Sequence, residues 1–403
     1  MQDVRPKDDL KGSEGDPEKG DNGDTGLKGG ITLVTACIFI IGEIAGGGCL
    51  TLPRALHDAE IKRLYKWKKT GDLYVSIVFC VVTGWAGLFS LILLCFNAGV
   101  AGVHIAKCWM ILEERWTMYR GRYRHPYPAI GGRAVAPWMR TLVSIFVNLC
   151  QLGAATVFLL LSAQIIQGVL GVLTVCQWIL ILAAILCPLM PVAIVAMSTT
   201  LVAVTTIIVM IVKDGATRPA ATFDIPTFSS FFLAFGAINF AFGGTSAFPT
   251  YQNDMKNRSK FIFSVIIAFT CILLLYAPLA GVGYAVYGQA VMPNVIDNMP
   301  KGVVQLAVQI LISLHLFFGF LLVVNTPSQE IEEHLNVPHR FGIKRIMTRV
   351  GILLVVVFVA MTIPRFDKVL SLVGATVSTS LSFIFPPLFY LLLCRQKGEW
   401  PER

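Results

Sequence analysis

Apolar residues in this chain do not alternate with polar ones. They run in long blocks, at 31–56, 73–111, 139–170, 175–191, 195–213, 229–252, 260–287, 303–330, 347–364 and 368–394, separated by short polar or basic stretches. A membrane-crossing helix needs about 20 consecutive apolar residues, so the pattern predicts about ten helical spans. No period-two alternation occurs at strand length, which argues against a membrane β-barrel. The expected fold class is all-α, a polytopic membrane protein.

Composition agrees. Of 403 residues, 55% are hydrophobic and only 14% are charged, against about 25% charged in a soluble domain. A soluble enzyme and a nucleic-acid binder are therefore disfavoured. The net charge of +9 marks a side of the bilayer rather than an acidic partner. Residues 1–29 form a tail with eight acidic and five basic residues and almost no large apolar side chain, and are expected to be disordered. No basic stretch precedes a short apolar run there, so no cleavable signal peptide is expected. The membrane domain is expected over 30–395, with a short tail at 396–403. The ten cysteines show no CxxC spacing, and neither a zinc site nor a disulfide framework is expected.

The loops give orientation. Basic residues cluster at 113–140 (Arg115, Arg120, Arg122, Arg124, Arg133, Arg140), at 253–260 (Lys256, Arg258, Lys260) and at 331–349 (Arg340, Lys344, Arg345, Arg349). Ten spans put these three loops and the N-terminus on one side, which the positive-inside rule makes cytosolic. The sequon Asn257-Arg258-Ser259 then lies in the cytosol, where it is not glycosylated.

One region resists the scheme. The first outer loop should be poor in basic residues, yet it carries Lys62, Arg63, Lys66, Lys68 and Lys69. The following apolar run, Leu73 to Leu112, would be roughly 60 Å long as a helix, about twice the hydrocarbon core. Removing residues 60–83 cures both faults and joins Asp58-Ala59 to Gly84-Trp85. The segment therefore reads as foreign to the fold, such as retained non-coding sequence, with a genuine lineage insertion as the alternative.

Two spans carry glycine breaks at comparable places. The first reads Ile41-Gly42-Glu43-Ile44-Ala45-Gly46-Gly47-Gly48 before Leu52-Pro53, and the sixth reads Phe242-Gly243-Gly244-Thr245-Ser246 before Phe248-Pro249. Glycine costs about 1 kcal/mol relative to alanine in a helix, and unwound backbone at membrane depth is tolerated only where it lines a cavity or is buried in protein. Two breaks five spans apart point to a five-plus-five inverted repeat with a substrate site between the halves. The resumed helices would offer N–H groups and a positive dipole end to a carboxylate. Alternatively, the glycines serve only close helix packing.

The run Gly42, Gly46, Gly48, Leu50, Leu52-Pro53, Ala55 resembles the first helix of the amino acid/auxin permease family. That family lies within the amino acid–polyamine–organocation superfamily. Matching stretches follow at Gly84-Trp85 with Gly87-Leu88, Gly153 to Leu160, Cys187-Pro188-Leu189, Pro249 to Met255, Gly283-Tyr284 with Tyr287-Gly288, Gly374-Ala375-Thr376 and Phe385-Pro386-Pro387. The likeness covers nearly everything from Gly30 to Cys394. Two departures are the interruption at 60–83 and the end of the chain after ten spans, where family members often have an eleventh.

The resemblance implies secondary active transport of amino acids, usually with protons and less often sodium, in a plasma or acidic-organelle membrane. By the same resemblance the backbone of Ile44, Ala45, Gly46, Gly47 and Gly48, and of Phe242, Gly243, Gly244 and Thr245, would hold the substrate's carboxylate and amino groups. Phe158 stands where an aromatic often faces the site. Glu43 directly precedes the first break. A carboxylate at mid-span is costly if charged and unpaired, which makes Glu43 a candidate for proton coupling, with a structural hydrogen bond as the alternative. His315 on the eighth span could pair with it or relay protons. Asn148, Gln151, Asn239 and Asn325 read as interhelical hydrogen-bonders, and His104 and Lys107 as side chains reaching to the headgroups. Asp254 beside Lys256 and Arg258 reads as a solvated loop or a gate pair, while Glu330, Glu332 and Glu333 read as caps of the cytosolic face. No nucleophile–base pairing, metal-ligand spacing or phosphate loop occurs in an aqueous segment, so no enzyme, cofactor or metal is expected. An amino-acid sensor of the same fold and an inactive product of an aberrant transcript are the other readings.

Overall fold

The computed structural model describes residues 30–59, 86–121, 123–186, 196–218, 228–338 and 342–396. The expected tail at 1–29, the suspected insertion at 60–83 and residues 397–403 lie outside them. The helices are α1 (Leu33–Ile44), α2 (Leu52–Asp58), α3 (Ala86–Arg115), α4 (Pro126–Ala134), α5 (Pro137–Leu170), α6 (Val175–Leu186), α7 (Ala196–Gly215), α8 (Phe228–Ala241), α9 (Phe248–Asn253), α10 (Phe261–Tyr287), α11 (Val303–His334), α12 (Ile343–Thr362), α13 (Phe366–Val373) and α14 (Phe385–Arg395); all overlap the apolar blocks except α4, which lies in the basic stretch 113–140. Between α13 and α14 the chain is π-helical at Gly374–Ser378 and Ser380–Ile384. Among the described residues there is no named strand, only a parallel bridge between Ile31 and Met255.

Among the described residues, α3, α5, α10, α11 and α12 and the continuous stretch Phe366–Arg395 (α13 to α14) are long and apolar enough to cross a membrane, and α1 with α2, bent by 46° at their break, make a seventh such span, against the ten expected. Shorter apolar helices cover Val175–Ala184 and Ser229–Ala241. The helices are apolar outside as well as inside. Val303, Phe358 and Leu274 are 84%, 71% and 71% exposed, while the polar Asn239, Gln252 and Ser328 are buried. That distribution suits a lipid solvent, where nothing outside competes for hydrogen bonds.

The long helices pack around the broken ones. α5 packs against α11, α10 lies against α1, α3 and α7, and α8 lies against α2 and α13. Close approach is built with glycine: a Cβ at Gly87 would sit 2.7 Å from the Leu56 carbonyl oxygen, so the end of α2 and the start of α3 touch.

Polar contacts divide into two faces. On one, Arg258 bonds Glu113 and the carbonyls of Arg120, Gly121 and Asn253. Arg124 and His125 bond Glu333, while Arg345 and Arg349 bond the buried Glu332. Ile31 joins the same face through residues 254–256. On the other, Arg54 donates to the Val291 carbonyl and Arg218 to that of Asn298. Residues from all three basic loops thus share a face with the start of α1.

Candidate functional site

Both helix breaks have the same local construction. The α1 hydrogen-bond ladder ends when Ala45 N–H donates to Ile41 and Gly46 N–H to Ile44. A short 3₁₀ turn, Gly47–Thr51, follows, and α2 resumes with Pro53 in its first turn. At the second break, Gly243 and Gly244 N–H groups turn back to Phe240 and Phe242, and α9 resumes with Pro249 in its first turn. Proline suits that position because its missing N–H has no partner there in any case. Side chains add to the carbonyls of the first break: Tyr276 Oη donates to Ile44 at 2.8 Å, beside the Gly46 N–H, and Thr51 Oγ1 to Gly48 at 2.8 Å. At the second break, Thr245 Oγ1 shares a 2.6 Å hydrogen bond with Ser382 Oγ in the π-helical segment.

The glycines are there for space rather than for left-handed backbone. Among the described glycines, only Gly171 and Gly288 fall in the left-handed region. A Cβ at Gly48 would lie 2.8 Å from Ala241 Cα, and one at Gly244 would lie 2.6 Å from Ile44 Cγ1. The two breaks, almost 200 residues apart in sequence, therefore rest directly on each other. Packing and unwinding, opposed as alternatives in the sequence, occur together.

Beside this junction lie two small cavities, of about 30 Å³ and about 20 Å³, which share Glu43, Phe158 and Val323 as walls. Each has room for water. Of the residues expected at the site, Glu43, Ile44, Gly46, Gly48, Phe158, Gly243 and His315 line one or both. The remaining five serve the junction itself. Ala45 is buried in the turn, Gly47 packs against Leu161 and Leu316, and Phe242 lies on Tyr276 with ring centroids 5.5 Å apart. Gly244 faces Ile44, and Thr245 holds Ser382. Phe158 is wedged between glycines of two elements, its ring 3.1 Å from a Cβ placed on Gly46 and 2.9 Å from one on Gly319.

Glu43 accepts a hydrogen bond from Tyr251 Oη at 3.2 Å, with the Gln151 side chain as a second partner. His315 shares a 2.6 Å hydrogen bond between its Nδ1 and Thr200 Oγ1, and its ring meets Phe158 edge-on at 6.4 Å. Glu43 and His315 thus face one cavity while each is held by a different helix. Sequence reasoning passed over the parts played by Tyr251, Thr200 and the hydroxyls of the last span. Cys150 reaches Ser378, and Asn239 donates to Thr379 at 2.8 Å. A local signal existed for that cluster in the run Ser378-Thr379-Ser380-Leu381-Ser382, four hydroxyls inside an apolar span. The other polar residues fall elsewhere: Asn148 and Ser144 bond the buried Glu330, and His104 stacks on Tyr390 at 5.0 Å beside Lys107.

Comparison with known proteins gives the site its context. Amino acid transporter AVT3B of Arabidopsis thaliana is 32% identical over 177 residues, 43% of this chain and 41% of that protein. AVT3C of the same plant is 28% identical over 195 residues, 48% and 44% of the two chains. The matched stretch thus covers less than half the length of these relatives. AVT1I, also from Arabidopsis thaliana, matches over 76% of this chain and 79% of its own, at 25% identity. A crystal structure of a mutant manganese transporter from Eremococcus coleocola superposes with a TM-score of 0.47 at 14% identity, covering 89% of this chain and 80% of that one. Residues 80–403 match the family described as transmembrane amino acid transporter proteins, and the chain belongs to that family.

Proposed function

We propose that this protein moves amino acids across a membrane by alternating access, with a proton as the coupling ion and Glu43 as the residue that carries it. The observation on which the reading rests is the meeting of two broken spans beside a cavity that contains a carboxylate. Backbone N–H and C=O groups at such breaks are suited to the carboxylate and ammonium of an amino acid. The walls contributed by Phe158, Ala154 and Val323 suit an uncharged side chain. Glu43 is the acid on those walls. A charged carboxylate is expensive there, which favours exchange of a proton over permanent charge. Sodium is the less favoured ion, because the walls offer titratable groups in Glu43 and His315.

The domain reading follows the same lines. The matched breaks support a five-plus-five inverted repeat over 30–395. Sharing of one face by the three basic loops and the start of α1 supports a cytosolic N-terminus, in a plasma or acidic-organelle membrane. Contact between Leu56 and Gly87 supports the view that 60–83 is dispensable, since the ends it connects already meet.

The test is uptake of a radiolabelled mixture of the twenty amino acids into proteoliposomes, with and without an imposed pH gradient. Wild type accumulates label only with the gradient. Glu43→Gln loses gradient-driven accumulation and retains exchange of internal for external label. Gradient-driven accumulation by Glu43→Gln equal to wild type would reject Glu43 as the coupling residue.

A further inference from the structure

Between the start of α1 and the cavity, α1 is fastened to α9 at three levels. At the base, Ile31 N–H donates to the Asp254 carbonyl at 2.9 Å and Lys256 N–H to the Ile31 carbonyl at 3.1 Å. A Cβ at Gly30 would meet Lys256 N at 2.7 Å, so the two backbones lie in close contact there. Midway, the Phe39 and Tyr251 rings pack with centroids 5.7 Å apart. At the top, Tyr251 Oη donates to Glu43 Oε2. The helix α9 is itself pinned: Gln252 Nε2 donates to the Ala106 carbonyl of α3 at 3.1 Å, and Asn253 Nδ2 to the Tyr123 carbonyl at 3.0 Å. Tyr251 therefore spans from a fixed element to the carboxylate that lines the cavity, with its ring filling the seam beneath.

We infer that Tyr251 is a positioning residue that transmits the protonation of Glu43 to the α1–α9 seam, closing the cavity toward the face where α1 begins while Glu43 is ionised. The inference rests on the reading of Glu43 as the coupling residue. A hydrogen bond to an ionised acceptor is roughly twice as strong as one to a neutral acceptor. A proton arriving at Glu43 therefore weakens the uppermost fastening, at the cavity, and leaves the seam held by the Phe39 contact and the Ile31–Met255 bridge. Loss of the proton restores the fastening. The bond made and broken is the O–H of Glu43, its proton taken from hydronium and returned to water, with no other bond changed.

The other titratable groups around Glu43 sit on different elements. His315 on α11 shares its smaller cavity, Cys150 on α5 shares the larger one, and Tyr276 on α10 holds the Ile44 carbonyl beside it. Asp254 and Lys256 lie at the base of the seam, where their backbone groups make the bridge. Of these groups, Tyr251 both donates to the carboxylate and packs on the seam.

The experiment compares wild type, Tyr251→Phe, Glu43→Gln and the double variant in proteoliposomes, measuring initial uptake of the twenty-amino-acid mixture against external pH. Phenylalanine keeps the ring contact with Phe39 and removes only the hydroxyl. Tyr251→Phe should move the midpoint of the uptake profile by about one pH unit, the scale of a hydrogen bond to a charged group. Added to Glu43→Gln it should change nothing further. Phe39→Leu, which loosens the seam without touching the hydrogen bond, should lower uptake at every pH with an unchanged midpoint. An unshifted midpoint for Tyr251→Phe, with a flattened profile for Glu43→Gln, would overturn the role of Tyr251 alone. A wild-type profile for Glu43→Gln would overturn both this inference and the coupling reading beneath it. An equal loss from Tyr251→Phe in both backgrounds would show a merely structural part.

Discussion

Adding one methyl group at Gly48 tests whether the two helix breaks must touch. The new Cβ would lie 2.8 Å from Ala241 Cα and 3.2 Å from its N, both backbone atoms of α8, whereas ordinary contact begins at 3.4 Å. Relief requires the Gly47–Thr51 turn and α8 to separate by about 0.6 Å at the junction, and overpacking of this kind costs about 1–3 kcal/mol. Gly46→Ala is the informative contrast. Its Cβ meets Phe158 Cζ at 3.1 Å and His315 Nε2 at 3.8 Å, side-chain atoms of the cavity wall that can swing aside. Gly168→Ala, with nothing within 4 Å, is the control; it should stabilise by up to about 1 kcal/mol through helix propensity. Purified proteins would be melted in detergent and assayed for amino-acid uptake in proteoliposomes. Gly48→Ala should melt a few degrees lower and transport poorly. Gly46→Ala should melt close to wild type and transport poorly, because the methyl enters the cavity. If Gly48→Ala melts and transports like wild type, the breaks are not packed as described. If the two variants cannot be told apart, the distinction between junction and cavity wall fails.

Three further outcomes are expected. Removing both Arg345 and Arg349 as methionines leaves the buried Glu332 carboxylate without its cationic partners. It should cost about 3–5 kcal/mol of stability, with most of the loss recovered on adding Glu332→Gln, as melting curves would show. Thr200→Val removes the hydroxyl bonded to His315 at 2.6 Å. It should cost about 1–3 kcal/mol and lower the melting temperature accordingly. A chain lacking residues 60–83 should insert, and should melt within about 2 °C of full length, the shift that roughly 1 kcal/mol or less gives in a chain this large, because Leu56 and Gly87 are already in contact; failure to insert would mean that the segment belongs to the fold.

Much of the fold was legible because lipid-facing and protein-facing positions are both apolar, so most of the long helices announce themselves as apolar blocks, whereas the short α4 inside the basic stretch 113–140 does not. The breaks were legible for a related reason: glycine triplets and a following proline, as at Gly46-Gly47-Gly48 and Pro53, stand out against Leu and Ile. Their reason was less so. Propensity pointed to unwinding, but the spatial demand at Gly48 comes from Ala241, a residue no local pattern connects to it. Glu43 was conspicuous as a lone acid in an apolar run, whereas its partner Tyr251 was hidden in the short helix after the second break, where an aromatic residue is unremarkable in sequence. The carboxylates in the last turns of α11 read as a cap in one dimension. In three they divide: Glu330 goes to Ser144 and Asn148, Glu332 to Arg345 and Arg349, and Glu333 to Arg124 and His125. That sorting depends on which side of a helix faces which loop, and charge counting carries no such information.

The most direct test of proton-coupled transport is proton movement itself. Proteoliposomes loaded with a pH-sensitive dye and held at a membrane potential, negative inside, would receive the twenty-amino-acid mixture in sodium-free medium. The account predicts acidification of the lumen on addition of amino acids to wild-type vesicles, and none with Glu43→Gln. Amino-acid uptake by wild type without any lumenal acidification would contradict it.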